Sequence, residues 1–190
     1  MNGSGLTYLW LKCTAMAWLV IGRPAQALGI FDEMLRRWPQ DGYALSSRSH
    51  VRAQRGQRVE AIADLQTLLA AQPDRSAAYW FNLAYLLEDD GRFAEAEPAF
   101  RRALAIDPKL DRAWYGLGLV LIRLQRPEDA VAALKKNTEL QPMSPYGWYQ
   151  LARVQFDRQE PEETKKIIRH LKGFEPKVAA QLERETGLVA

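Results

Sequence analysis

The 190-residue sequence has one cysteine, Cys13, and two histidines, His50 and His170. A lone thiol excludes an internal disulfide and a cysteine-based metal site. The histidines stand far apart, and neither H-x-x-x-H nor C-x-x-C spacing occurs, so no zinc framework is expected. Long apolar runs are also missing. The most apolar stretch, 6–21, is shorter than the roughly 20 residues a bilayer requires, and it carries Lys12. The residues before it lack a basic n-region, and no small-residue cleavage site follows. The expectation is a cytoplasmic protein with no signal peptide and no membrane span. An excess of one charge is absent as well: 26 Lys+Arg face 23 Asp+Glu, a net charge of +3. That is too little to argue for a nucleic-acid partner. No G-x-S-x-G elbow occurs, and Gly116-Leu117-Gly118 lacks the preceding strand that a phosphate loop needs. The acid pairs Asp89-Asp90 and Glu162-Glu163 fall at helix ends, where capping and solvation account for them. Neither catalysis nor a metal or cofactor is expected.

What the sequence does have is a repeat. Hydrophobic residues make up 47% of it, enough for a folded chain. Pro39, Pro73, Pro108, Pro142 and Pro176 follow one another at 34 or 35 residues. Gly22, Gly56 and Gly91 precede the first three of these by a constant interval, and Ala27, Ala61, Ala96 and Ala130 precede the first four by another. Each period holds two amphipathic helical stretches. Trp80, Leu83, Ala84 and Leu87 recur at i, i+3, i+4 and i+7, which is one helix face. Gly91 breaks that helix, and Ala96, Phe100, Ala103 and Leu104 mark a second face. Pro127 and Pro161 open later helices, each followed by two acids, a pairing that suits the free amides of a first turn.

Trp80, Leu83, Ala84, Leu87, Gly91, Ala96, Phe100, Ala103 and Pro108 in phase resemble the tetratricopeptide repeat (TPR), a 34-residue pattern of W-x2-L-G-x2-Y, A-x3-F and P. Trp114, Leu117, Gly118, Leu121, Ala130, Leu134 and Pro142 repeat it, as do Trp148, Leu151, Ala152, Ile168 and Pro176, with Thr164 where alanine is usual. In the first two periods Leu11 and Leu45 replace tryptophan, and Thr14 and Arg48 replace leucine. The resemblance implies an all-α fold: a right-handed superhelical α-solenoid of five helical hairpins plus a capping helix. The repeats cover 8–41, 42–75, 77–110, 111–144 and 145–178 of a single array over 1–190, with Ser76 as an insertion and 179–190 as the cap. Val178 and Leu182 of the cap are expected inward, with Glu183, Arg184 and Glu185 outward.

The resemblance also implies a non-enzymatic adaptor or scaffold that binds another protein or a peptide on the concave face, which the first helix of each pair lines. The residues placed there are Phe81 and Tyr85 in the third repeat, Arg112, Tyr115 and Leu119 in the fourth, and Tyr146, Tyr149 and Arg153 in the fifth. Aromatics with interleaved arginines suit a segment carrying apolar and acidic side chains. The clamp by which TPR co-chaperones hold a C-terminal carboxylate maps poorly here. In the better register only Asn82 matches, and Arg112 keeps a charge. RNA binding is the weakest reading, because no continuous basic track runs along the repeats.

Two further features stand out. Arg48, Arg52 and Arg55 share one side of a helix; Arg48 and Arg52 stand at positions usually packed, so pairing with Glu60, Asp64 or the following repeat is expected ahead of an anion or RNA contact. The first helix is apolar almost all round, which normally means burial. Leu9, Trp10, Met16, Leu19 and Val20 are the alternative contact surface. They would dock a second copy or a hetero-complex partner, as in an assembly or secretion chaperone or a fixed subunit of a larger complex.

Overall fold

The structure, a computed structural model, describes residues 3–190. Among them are eleven α-helices and no strand: α1 (Gly3–Val20), α2 (Pro24–Arg37), α3 (Gly42–Gln54), α4 (Arg58–Ala71), α5 (Ala77–Asp89), α6 (Phe93–Ile106), α7 (Asp111–Arg123), α8 (Pro127–Leu140), α9 (Pro145–Asp157), α10 (Pro161–Lys172) and α11 (Pro176–Thr186). By internal contacts the chain divides into two compact units, up to Leu86 and from Leu87 onward. The division falls inside α5, not at a linker. In the first unit α1 packs on α2, α2 on α3 and α3 on α4. In the second, each helix from α6 to α11 packs on its successor, and α11 also touches α9. Burial that comes mainly from the neighbour along the chain is the energetic pattern of a solenoid.

The first helix of each pair ends in the same way. Gly22, Gly56 and Gly91 have φ of 76–77°, and the equivalent positions in the last two repeats are Gln125 at 56° and Gln159 at 61°. Past each of them a 6→1 backbone bond closes the turn, as from Arg23 N to Trp18 O (2.8 Å) and from Arg126 N to Leu121 O (2.9 Å). This is a Schellman stop, which favours glycine because a left-handed residue with a Cβ is strained. The turn thus persists in the repeats where the glycine spacing runs out.

The small-residue positions set the packing distance within the pairs. Ala27, Ala61, Ala96 and Ala130 have no exposed surface, and neither does Thr164. The Thr164 hydroxyl donates to Glu160 O at 3.0 Å, which satisfies the polar atom that this departure buries. Phe31 fills the core of the first unit and Phe100 that of the second. Each patterned tryptophan is half-buried, and its indole N–H donates to the preceding proline's carbonyl: Trp80 to Pro73, Trp114 to Pro108 and Trp148 to Pro142. The first of these spans one residue more than the others, which is where Ser76 is inserted. Where leucine replaces tryptophan, Leu11 and Leu45 are buried outright. Pro98 lies within α6 on its exposed side, an irregularity that the repeat pattern does not announce.

Two expectations are corrected. In the cap helix Ala179 and Leu182 form the buried pair, whereas Val178 is half-buried. Glu183 does not point freely outward; it pairs with Lys172 at 2.8 Å. The helix begins at Pro176, so its period is offset from the one assumed. The first helix is not buried all round either. Leu11 and Ala15 face the core, but Leu9, Trp10, Met16 and Val20 are exposed.

Candidate partner-binding surfaces

The residues assigned to a binding face separate by unit. In the first, Phe81 and Tyr85 stack on α5 with ring centroids 6.4 Å apart, and Tyr85 is exposed. In the second, α7 and α9 touch and carry the other six.

Arg112, Tyr115 and Tyr146 border a cavity of about 310 Å³ that Asp111, Asn137, Gln141 and Ser144 also line. Its floor is fixed by Asn137, which is buried and donates from Nδ2 to Asp111 O at 2.9 Å. The Asn137 carbonyl oxygen lies so close to Gly147 that a Cβ there would overlap it. Glycine at 147 therefore lets α9 approach the amide that holds the start of α7. Tyr115 is half-buried; burial raises its pKa and outweighs the hydrogen bond from Gln150, which lowers it. Tyr146 is 71% exposed, an aromatic ring offered to solvent beside this cavity. Leu119, one turn after Tyr115 in α7, is half-buried.

Tyr149 and Arg153 are placed differently. The Tyr149 hydroxyl donates to Glu185 of α11 at 2.8 Å, and the Arg153 guanidinium lies 5.8 Å from the Tyr149 ring centre. Burial raises the tyrosine pKa first, and the carboxylate adds to it. A second, smaller hollow of about 270 Å³ lies between Arg153, Phe156, Asp157, Glu185 and Thr186. The cap helix thus engages Tyr149, which the sequence assigns to a ligand, and borders the hollow beside Arg153. Nothing in the local pattern around Glu185 signals this, because it depends on how α11 folds back onto α9.

Two family models, both described as tetratricopeptide repeat, match residues 47–111 and 87–149. Together they span more than half the chain without a gap. The chain is a tetratricopeptide repeat protein. Human tetratricopeptide repeat protein 7B is 30% identical over 116 residues, and the general transcriptional corepressor ssn6 of Schizosaccharomyces pombe is 32% identical over 117. These alignments take in 61% and 56% of the chain but only 14% and 10% of the two relatives. Among solved structures, a MamA crystal structure aligns with a TM-score of 0.81 at 18% identity, covering 98% of this chain and all of that one. YrrB, described as a TPR protein with an unusual peptide-binding site, aligns with a TM-score of 0.80 at 16% identity over 90% of this chain and 88% of its own. A TPR protein from Parabacteroides merdae aligns with a TM-score of 0.82 at 20% identity, over 96% and 74%. At these identities the likeness is one of fold, an all-α solenoid of TPR hairpins. The family is one of protein–protein interaction modules.

Within this TPR chain Arg48 and Arg52 of α3 are structural, whereas Arg55, the residue that caps the helix, is exposed. Asp64 is buried, and its carboxylate accepts from Arg48 Nε at 2.9 Å and from Arg52 Nη1 at 2.8 Å. Arg48 also reaches Asp32 at 2.7 Å. Burial works against the Arg48 charge, but the two aspartates outweigh it and hold its pKa above the ordinary value. A buried charge is tolerated when it is paired and hydrogen-bonded in this way. His170 is exposed, and its ring lies 4.4 Å from that of Trp148 and 5.3 Å from that of Phe174.

The alternative surface lies on α1. Leu9, Trp10, Met16 and Val20 are exposed, as are Leu6, Cys13 and Ala17, while Leu19 is half-buried and off that stripe. The signal for the additional residues is their helical spacing. Among the described residues no helix is long and apolar enough to cross a membrane.

Proposed function

We propose that the chain is a non-enzymatic adaptor acting in the cytoplasm, and that it takes a peptide segment of a partner protein on the face of α7 and α9. The observation that carries this is the pairing of the exposed Tyr146 ring with a side-chain-sized cavity rimmed by Arg112 and Tyr115. Aromatic area that is already ordered costs little entropy on binding, and a guanidinium at the rim favours an acidic side chain. The ligand class is an extended or helical segment with apolar and acidic residues, which supplies the ordering entropy itself when it docks. YrrB, described as having a peptide-binding site, shares the fold, which is in keeping with a peptide ligand. Leu119, one turn along α7 from Tyr115, is proposed to add apolar contact beyond the cavity. Tyr149 and Arg153 are proposed to contribute where α11 leaves them accessible.

The test is a lysate pull-down read by mass spectrometry, comparing wild type with Arg112→Ala/Tyr115→Ala/Tyr146→Ala. A protein captured by wild type and lost by the variant supports the α7–α9 face. A protein captured equally by both removes it. A second reading, docking through α1 as a chaperone or a fixed subunit, is favoured by the exposed apolar stripe on that helix.

A further inference from the structure

The exposed stripe of α1 has a symmetric arrangement about Cys13. Trp10 and Met16 lie three residues to either side, Leu9 and Ala17 four, and Leu6 and Val20 seven. All are exposed, and all lie on one face by the 3.6-residue period. The opposite face holds α1 to the first unit through buried Leu11 and Ala15 and through Tyr8, whose ring meets Trp38 edge-on at 5.2 Å. An apolar stripe this long on one helix is more than the scattered surface hydrophobes of an ordinary monomer.

We propose that this stripe pairs with the same stripe of a second copy, antiparallel, about a two-fold axis at Cys13. Three observations select that occupant. First, the antiparallel register matches sizes: Leu9 of one copy meets Ala17 of the other, Leu6 meets Val20, and Trp10 meets Met16 in a sulfur–aromatic contact made twice. A parallel register would set Trp10 against Trp10 and Leu9 against Leu9. Second, the seam is uncharged. Lys12 is the one charged residue of α1, and it is drawn away over the Tyr43 ring, 4.3 Å from its centre. No like charges meet across the axis, and the antiparallel helix dipoles favour the pairing. Third, the residue on the axis is small. Helix axes about 8–10 Å apart, with Cα atoms on cylinders of about 2.3 Å radius, bring facing Cα atoms to roughly 3.4–5.4 Å. At the wider axis spacings this meets the span of about 4.4–6.8 Å that a disulfide bridges.

The geometry supplies its own probe, because Cys13 is the only cysteine. The full chain is examined by sedimentation, and separately by brief treatment with diamide at low micromolar concentration. The oxidant takes up the two protons and two electrons that two thiols release in forming one disulfide. The expected result is a dimer in solution and a single Cys13–Cys13 cross-linked band on a non-reducing gel. Trp10→Glu, which leaves Cys13 in place and alters an exposed residue, should weaken dimerisation by about 30-fold or more and suppress the band. Unchanged helical circular dichroism would show that the variant is folded, and Met16→Glu serves as the second variant. A monomeric wild type overturns the proposal. So does a dimer that does not cross-link through Cys13, or one that Trp10→Glu leaves intact. None of these outcomes bears on the α7–α9 face.

Discussion

The Tyr149 hydroxyl donates a 2.8 Å hydrogen bond to the Glu185 carboxylate, joining the fifth repeat's first helix to the capping helix thirty-six residues later. Gln181 donates to the same carboxylate at 2.7 Å. The cap is therefore held against α9 at Tyr149, one of the residues proposed above for the ligand face.

This contact gives α11 a pH window. The Gln181 bond, then the Tyr149 bond, pulls the Glu185 pKa below its ordinary 4.5. Its contribution is present above that value and is lost as acid protonates the carboxylate at its lowered pKa. Burial, then Glu185, pushes Tyr149 above 10.0, so its contribution holds below pH 10 and is lost as alkali ionises the hydroxyl at its raised pKa. Amide exchange in α11, corrected for the intrinsic rate, should quicken at both extremes. Tyr149→Phe should quicken it at neutral pH while lowering global stability by less than about 1 kcal/mol, since water competes for an exposed bond. Protection unchanged by Tyr149→Phe would count against the latch.

Asp64 is the acid shared by Arg48 and Arg52, and its side chain is only 4% exposed. Asp64→Ala leaves two largely covered guanidinium groups facing each other without it. The expected loss is about 3–5 kcal/mol, the range for breaking a buried pair from one side. Urea unfolding measures it, and a loss under about 1 kcal/mol would mean the arginines find solvent.

Gly116 and Gly118 let α7 approach its neighbours. An added Cβ on Gly116 would lie 2.6 Å from Phe100 Cε1, and one on Gly118 2.7 Å from Leu134 Cγ. Alanine is preferred to glycine in a helix by about 1 kcal/mol, while overpacking costs about 1–3 kcal/mol. Each substitution should therefore destabilise on balance. A rise in melting temperature for Gly116→Ala would show that the Phe100 ring yields.

At Gln125 and Gln159 the opposite sign is expected. Both hold a left-handed turn that three earlier repeats give to glycine. Glycine removes strain of about 1–2 kcal/mol and adds unfolded-state entropy of roughly 0.5–1 kcal/mol. Gln125→Gly should stabilise by about 0.5–1 kcal/mol in thermal unfolding.

Much of this was legible in one dimension because a repeat writes its packing many times. The proline spacing, the buried alanines and the tryptophans report the same helical pair wherever they recur, so Leu11, Leu45 and Thr164 can be read as substitutions in a known place. That Arg48 and Arg52 pair with acid was legible for another reason: a charge at a core position has few alternatives to an opposite charge, although the choice of Asp64 over Glu60, and the addition of Asp32, came only with the packing. The placement of Tyr149 was not legible, because its partner lies on a helix outside the repeat phase. Leu19 was grouped with Leu9 and Trp10 on hydrophobicity alone, and only the packing of α1 on α2 separates the covered residues from the uncovered ones.

The residue pattern alone carries the periodic part: where the repeat helices start and stop, which faces pack, and the family. Those features depend on backbone preference and on neighbours less than one repeat away. Packing in three dimensions set the surfaces of α1 and α11. It left one face of α1 open, and it laid α11 across Tyr149. Both outcomes depend on contacts between particular side chains, as between Tyr149 and Glu185, which no periodic signal encodes.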